Sequence, residues 1–117
     1  MVNFFSKKAY QIEFCGQKST VTLRYQDYLN NGSLAVSLYR KCIEDDGEEL
    51  FGTITVNLPN SAFLPFGVQF VDINNFPNIT RWLEVNNLAK PLGFSIRSGF
   101  VDYPAYEFIL DEMTSDD

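Results

Sequence analysis

Histidine is absent from this 117-residue sequence. With it go the commonest general base, a frequent zinc ligand and the side chain that ordinarily titrates near neutral pH. Cysteine occurs only twice, at Cys15 and Cys42, too few for a four-cysteine zinc site. No Gly-x-Gly-x-x-Gly run, Walker-type phosphate loop, nucleophile elbow or Cys-x-x-Cys pair is present, which removes the usual sequence markers of nucleotide and redox enzymes. No stretch approaches the roughly 20 apolar residues that a membrane-spanning helix requires. Positive charge is also scarce. Nine Lys and Arg stand against fifteen Asp and Glu, a net charge of −6, which argues against an electrostatic grip on DNA, RNA or anionic lipid.

What is present is a core-forming composition, 45% hydrophobic and 15% aromatic. A chain of this size buries roughly 65% of its unfolded surface and needs neither disulfide nor metal to fold. The first residues, Met-Val-Asn-Phe-Phe-Ser-Lys-Lys, place charge after a short apolar stretch, the reverse of a secretory signal. The expectation is a cytoplasmic protein with reduced, partly buried cysteines.

Hydrophobic periodicity divides the chain. Tyr10, Ile12 and Phe14 alternate with Gln11 and Glu13, and after Gly16 the residues Val21, Leu23 and Tyr25 alternate with Thr20, Thr22 and Arg24. Period two on both sides of a glycine reads as a hairpin of half-buried strands. Asn30-Asn31-Gly32 marks a turn, since these residues tolerate positive φ. Strands then read over Ser33–Ile43 and Leu50–Leu58, around the acidic turn Glu44–Glu49. After the irregular aromatic stretch Asn60–Phe66, short strands read at Val68–Ile73 and Tyr106–Leu110, while Gly93–Gly99 reads as a loop or irregular strand.

The period changes at Pro77. Ile79, Trp82, Leu83 and Asn86 recur at i, i+3, i+4 and i+7, predicting a helix over Pro77–Asn87 with Asn75 or Phe76 at its cap and Trp82 packed inward. The predicted fold is α+β: a mainly antiparallel sheet, a meander of about five to six strands, with one principal helix packed on one face. Residues 1–117 form a single domain in this reading, with a frayed acidic tail at about 113–117.

Candidate functional residues are few. Glu44, Asp45, Asp46, Glu48 and Glu49 form the densest acidic cluster but lack the ligand spacing of a calcium loop. They read as a solvated turn or as an acidic contact for a basic partner. Phe63, Leu64 and Phe66, between Pro59 and Gly67, either cap the open end of a sheet or project as a hydrophobic lip. Asp102 and Glu107 are the only acids within a dense aromatic stretch, and the expectation for Arg97 is an internal pair with one of them. No catalytic residue, cofactor or metal is expected.

Four segments in fixed order carry a resemblance: NNGSLAVSLY (Asn30–Tyr39), TVNLP (Thr55–Pro59), FVDINNFPNITRWLEVNNLAKPLG (Phe70–Gly93) and RSGFVDYPAYEF (Arg97–Phe108). Together they resemble an uncharacterised bacterial domain family of small acidic proteins carried on conjugative elements, plasmids and prophages. The resemblance implies a mobile-element accessory protein and assigns no catalytic residue. The resulting expectation is a non-enzymatic protein that binds a protein partner, such as a nucleic-acid-handling nuclease or complex, and inhibits a host defence system in the manner of an anti-CRISPR. An accessory factor for transfer or maintenance of the element is the alternative. A small carboxylate-based hydrolase is the weaker one.

Overall fold

The computed structural model describes residues 3–6, 8–28, 31–41, 47–109 and 113–115. Among them ten strands fall into two antiparallel sheets. The class is α+β, as the periodicity requires, but a single meander of five to six strands is not what forms.

The first sheet contains β1 (Asn3–Ser6), β2 (Tyr10–Phe14), β3 (Gln17–Asp27), β4 (Leu34–Lys41), β5 (Glu48–Thr53) and, at its far edge, β10 (Met113–Ser115). β2 and β3 are the expected hairpin, with Tyr10 opposite Val21 and Phe14 opposite Gln17. Cys15 and Gly16 form its two-residue turn, with φ of 53° and 78°, the paired positive values that suit the right-handed twist of a tight hairpin. Cys15 is therefore exposed at a turn and not partly buried in a strand; Cys42 lies outside the described residues. Met113–Ser115 pair with β1, Phe4 opposite Ser115. That strand occupies backbone donors and acceptors that an edge would otherwise leave open.

The second sheet runs β6 (Thr55–Val56), β7 (Val68–Val71), β9 (Val101–Phe108), β8 (Ala89–Ser98). Its existence overturns the continuous strand expected over Leu50–Leu58. At Ile54 the chain leaves one sheet for the other. Ile54 N–H donates to Val36 of β4 at 2.9 Å, while its carbonyl accepts from Asp72 N–H, just after β7, at 2.8 Å. One residue thus bonds to both layers, and its fully buried side chain sits where the strand turns the corner. Of the two readings of Gly93–Gly99 the irregular strand is the one that forms: residues 93–98 belong to β8, which pairs with β9 across the Gly99-Phe100 turn, with an irregularity between Pro91 and Ser95.

The main core fills the space between the sheets: Val21, Leu23, Tyr25, Val36 and Leu38 from the first meet Val71, Tyr106 and Phe108 from the second. The helix α1 (Ile79–Val85) adds Ile79 and Leu83 to it. α1 is shorter than Pro77–Asn87. Asn78, not Asn75 or Phe76, is its cap, because the preceding residues are held in a turn of their own. There the buried Asp72 carboxylate accepts from Asn75 N–H at 3.2 Å and from Asn75 Nδ2 at 2.8 Å. The helix ends at its C-cap Asn86, followed by Asn87 with φ of 56°. Trp82 is half-buried: its indole N–H donates to Gln11 C=O at 2.7 Å, and its ring meets Tyr10 edge-on at 6.3 Å. These contacts tie the helix to β2. Gly52 makes room for the same region, since a Cβ there would lie 2.6 Å from Phe76 Cζ and the ring would have to shift.

A buried polar network locks the sheets together at one end. Gln69, fully buried in β7, donates to Leu34 C=O at 2.8 Å and to Ser33 Oγ at 3.2 Å. Its Oε1 accepts from Ser61 Oγ at 2.7 Å and from Phe70 N–H at 2.9 Å. Asn31 Nδ2 donates to Asn57 Oδ1 at 2.8 Å, and Ser33 Oγ lies at 2.8 and 3.0 Å from the two Asn Oδ1 atoms. Every polar atom of the Gln69 amide has a partner, the condition under which a buried network stabilises rather than strains a core.

Candidate functional site

The outer face of the second sheet is where the apolar surface collects. Because residues directly opposite in an antiparallel ladder share a face, Phe70 opposite Ala105 sets a side distinct from that of Gln69 opposite Tyr106. Val68, Phe70 and Ala105 are buried there, beneath a partial cover of Val56, Leu58, Leu64, Ile96 and Tyr103. Phe94, 49% exposed, meets Phe70 edge-on at 6.3 Å. The cover is incomplete.

Between β6 and β7 runs a 3₁₀ turn, Pro59–Phe63, followed by Leu64–Gly67. Ser61 pins this turn, accepting from Leu58 N–H at 3.0 Å while its hydroxyl hydrogen goes to Gln69. With Ser61 pointing inward, the aromatic residues on either side of Leu64 have no interior to enter. Phe63 is 88% exposed and Phe66 68% exposed, whereas Leu64 packs on the outer cluster. The two alternatives read from the sequence are thus divided among the three residues: Leu64 caps, Phe63 and Phe66 project. Phe100, at the tip of the β8–β9 hairpin, is 98% exposed. It belongs to the dense aromatic stretch around Asp102 and Glu107, where aromatics read as core; the Gly-Phe pair at a hairpin turn was the signal of its exposure.

The acidic cluster is placed differently from a free patch. Glu44, Asp45 and Asp46 lie outside the described residues. Glu48 and Glu49 begin β5, where Glu48 is ion-paired with Arg24 and Glu49 with Arg40. Arg24 also lies 4.1 Å over the Tyr39 ring, and Arg40 lies 5.8 Å from the centre of Phe51. The registers put Arg40 and Glu49 on the face of Val21 and put Arg24 and Glu48 on the opposite face, so the two acids do not form one patch.

Arg97 makes the expected internal pair, with Nε 3.1 Å and Nη2 3.2 Å from the two oxygens of Asp102. Glu107 pairs with Lys90 at 3.7 Å. The two acids of the aromatic stretch therefore face separate cations on β8 and do not converge on one cleft. Among the described residues no three His, Cys, Asp or Glu side chains gather as a metal site, and no helix is long and apolar enough to cross a membrane.

The second sheet, the 3₁₀ turn and the α1 region all lie within the stretch that matches a known family. A family model described as a domain of unknown function (DUF4313) matches residues 22–116. The chain belongs to this DUF4313 family. The match runs from within β3 through β10, so it takes in the whole of the second sheet and the Phe63–Phe66 segment. No curated protein and no solved structure matches the chain.

Proposed function

We propose that this DUF4313 protein is a non-enzymatic binding protein of a phage or mobile genetic element, and that it acts by docking the outer face of its second sheet onto a protein of a host defence system. The observation that carries the reading is the pair Phe63 and Phe66, 88% and 68% exposed on a segment anchored from beneath by Ser61 and Leu64. Burying a phenylalanine stabilises by about 1.5–3 kcal/mol. The fold leaves that gain unused at two neighbouring positions on a fixed turn. Exposed aromatics rimmed by half-covered apolar residues are the composition of binding hot spots.

Net charge supports the choice of partner. A chain at −6 approaches a basic, nucleic-acid-handling protein favourably, which raises association rate and selectivity more than affinity. With Glu48 and Glu49 already paired to arginines, the aromatic contact supplies the affinity and the overall charge the steering. Rising salt then slows association while dissociation changes little. The resemblance to families carried on conjugative elements and prophages supplies the context.

The test is capture from host cells bearing the element, with wild type and the double variant Phe63→Ser/Phe66→Ser compared after crosslinking. A defence-system protein retained by wild type and lost by the variant supports the proposal. Retention of the element's own transfer or replication proteins would replace it with the accessory-factor reading. Equal capture by both would overturn the assignment of this face.

A further inference from the structure

A cleft of about 470 Å³ opens between α1 and the β2–β3 hairpin. Its walls are Ile12 and Phe14 from β2, and Phe76, Ile79, Trp82 and Val85 from the helix and its approach. Trp82 has spent its only donor on Gln11 C=O, so the rest of its indole contributes only hydrocarbon. The volume falls within the roughly 300–1,000 Å³ of small-molecule sites, which are typically apolar with a few fixed polar groups.

Two charged residues line this cleft, Glu13 and Arg81. Glu13 stands directly opposite Lys18 in the β2–β3 ladder, where a cation on the neighbouring strand shares its face. Arg81 is in a different position. The sequence has four arginines, and three hold carboxylates: Arg24 with Glu48, Arg40 with Glu49, Arg97 with Asp102. Arg81 has no carboxylate partner among the described residues. Glu84, three residues on and able to reach it along the helix, instead accepts from the Tyr106 hydroxyl at 2.7 Å. The helix wall of the cleft thus offers a guanidinium that no described carboxylate holds, beside an apolar hollow.

We propose that this cleft binds a small organic carboxylate with an apolar, ring-bearing body. The ring lies among Ile12, Phe76, Ile79 and Trp82, and the carboxylate meets the Arg81 guanidinium, whose planar fork matches two carboxylate oxygens. A single negative charge is selected. One cation serves the site, and a protein of net charge −6 repels a multiply charged anion. The site is separate from the aromatic face of the second sheet and does not depend on its role.

The experiment is a titration of the ¹⁵N-labelled protein with 4-phenylbutanoate and, separately, its neutral amide. Trp82 is the sole tryptophan, so its indole N–H resonance reports on the cleft without ambiguity. Saturable shifts at that resonance and at the Ile79 and Arg81 amides are expected with the carboxylate, and much weaker binding with the amide. Arg81→Gln, a change on the exposed side of the helix, weakens the carboxylate about tenfold, the worth of one charge-assisted hydrogen bond, and leaves the amide unchanged. Phe63→Ser/Phe66→Ser leaves both titrations as in wild type. The proposal is overturned by equal affinity for carboxylate and amide, by an Arg81→Gln variant that binds the carboxylate as wild type does, by shifts centred on Phe63 and Phe66, or by no saturable shift.

Discussion

The inner and outer faces of the β6–β7–β9–β8 sheet are made by the same few strands. On the inner face Gln69, Val71, Tyr106 and Phe108 are buried, every polar atom of Gln69 is paired, and the opposing sheet covers the rest. On the outer face Val68, Phe70 and Ala105 are equally buried, yet they lie under half-covered residues and Phe94, and Leu64 joins them to the segment whose Phe63 and Phe66 meet solvent. The lesson is that burial at individual positions does not tell the two faces apart. What differs is whether the second layer is finished by the chain itself. The inner face is closed and holds the fold; the outer face is left for something else to close.

The largest effect should come from the inner side. Leu38→Ala, at a fully buried position of β4 in the main core, is expected to cost about 3 kcal/mol, the middle of the range for such truncations, read as a shift in urea midpoint. Gln69→Leu sharpens the contrast, because it conserves volume and adds apolar character. It leaves Leu34 C=O and Ser61 Oγ without the amide they bond, and the expected loss is about 2 kcal/mol. If Gln69→Leu stabilised the protein instead, the polar network would be dispensable and packing alone would hold the sheets together.

Trp82→Ala comes next, at about 2 kcal/mol, below the roughly 3–5 kcal/mol of a fully buried aromatic truncation. The indole is half-buried and held by one hydrogen bond and the Tyr10 edge contact. Urea denaturation followed by circular dichroism checks it.

How far these features were legible in the sequence follows from what each depends on. Alternation depends on a strand having one wet face, so β2, β3 and β4 could be read directly. Asn30-Asn31-Gly32 and the Ile79–Leu83 spacing are local signals and were also readable. The change of sheet at Ile54 was not, because the alternating pattern Leu50–Leu58 runs through the corner unbroken; only the partners of Ile54, on Val36 and Asp72, distinguish two layers from one. β8 was obscured by exposure on both faces, which erases period two. The pairing of Glu48 with Arg24 spans 24 positions and depends on register, which no local pattern encodes. That is why the acidic cluster looked freer in the sequence than its two described β5 members are.

A smaller effect separates the faces by pH. Burial, together with the Glu84 carboxylate that its hydroxyl bonds, pushes Tyr106 up to about 12. An unfolded tyrosine ionises near 10. Stability from this group is therefore complete below pH 10 and falls between about 10 and 12, where the unfolded chain loses a proton that the folded chain keeps. Tyr25 and Tyr28 are raised in the same direction by burial. Tyr106→Phe should make the alkaline decline in urea midpoint shallower without abolishing it. An unchanged slope would show that Tyr106 ionises as freely as in the unfolded chain.

The smallest expected effect on stability accompanies the largest expected effect on binding. Phe63→Ser/Phe66→Ser removes two exposed rings that the core does not use, so its urea midpoint should correspond to a change of no more than about 0.5 kcal/mol. Capture of the partner, measured side by side on the same preparation, tests the central claim most directly. The account predicts an unmoved midpoint with the partner lost. A lowered midpoint, or an unmoved one with the partner still captured, would contradict the division of this sheet into a closed face that folds and an open face that binds.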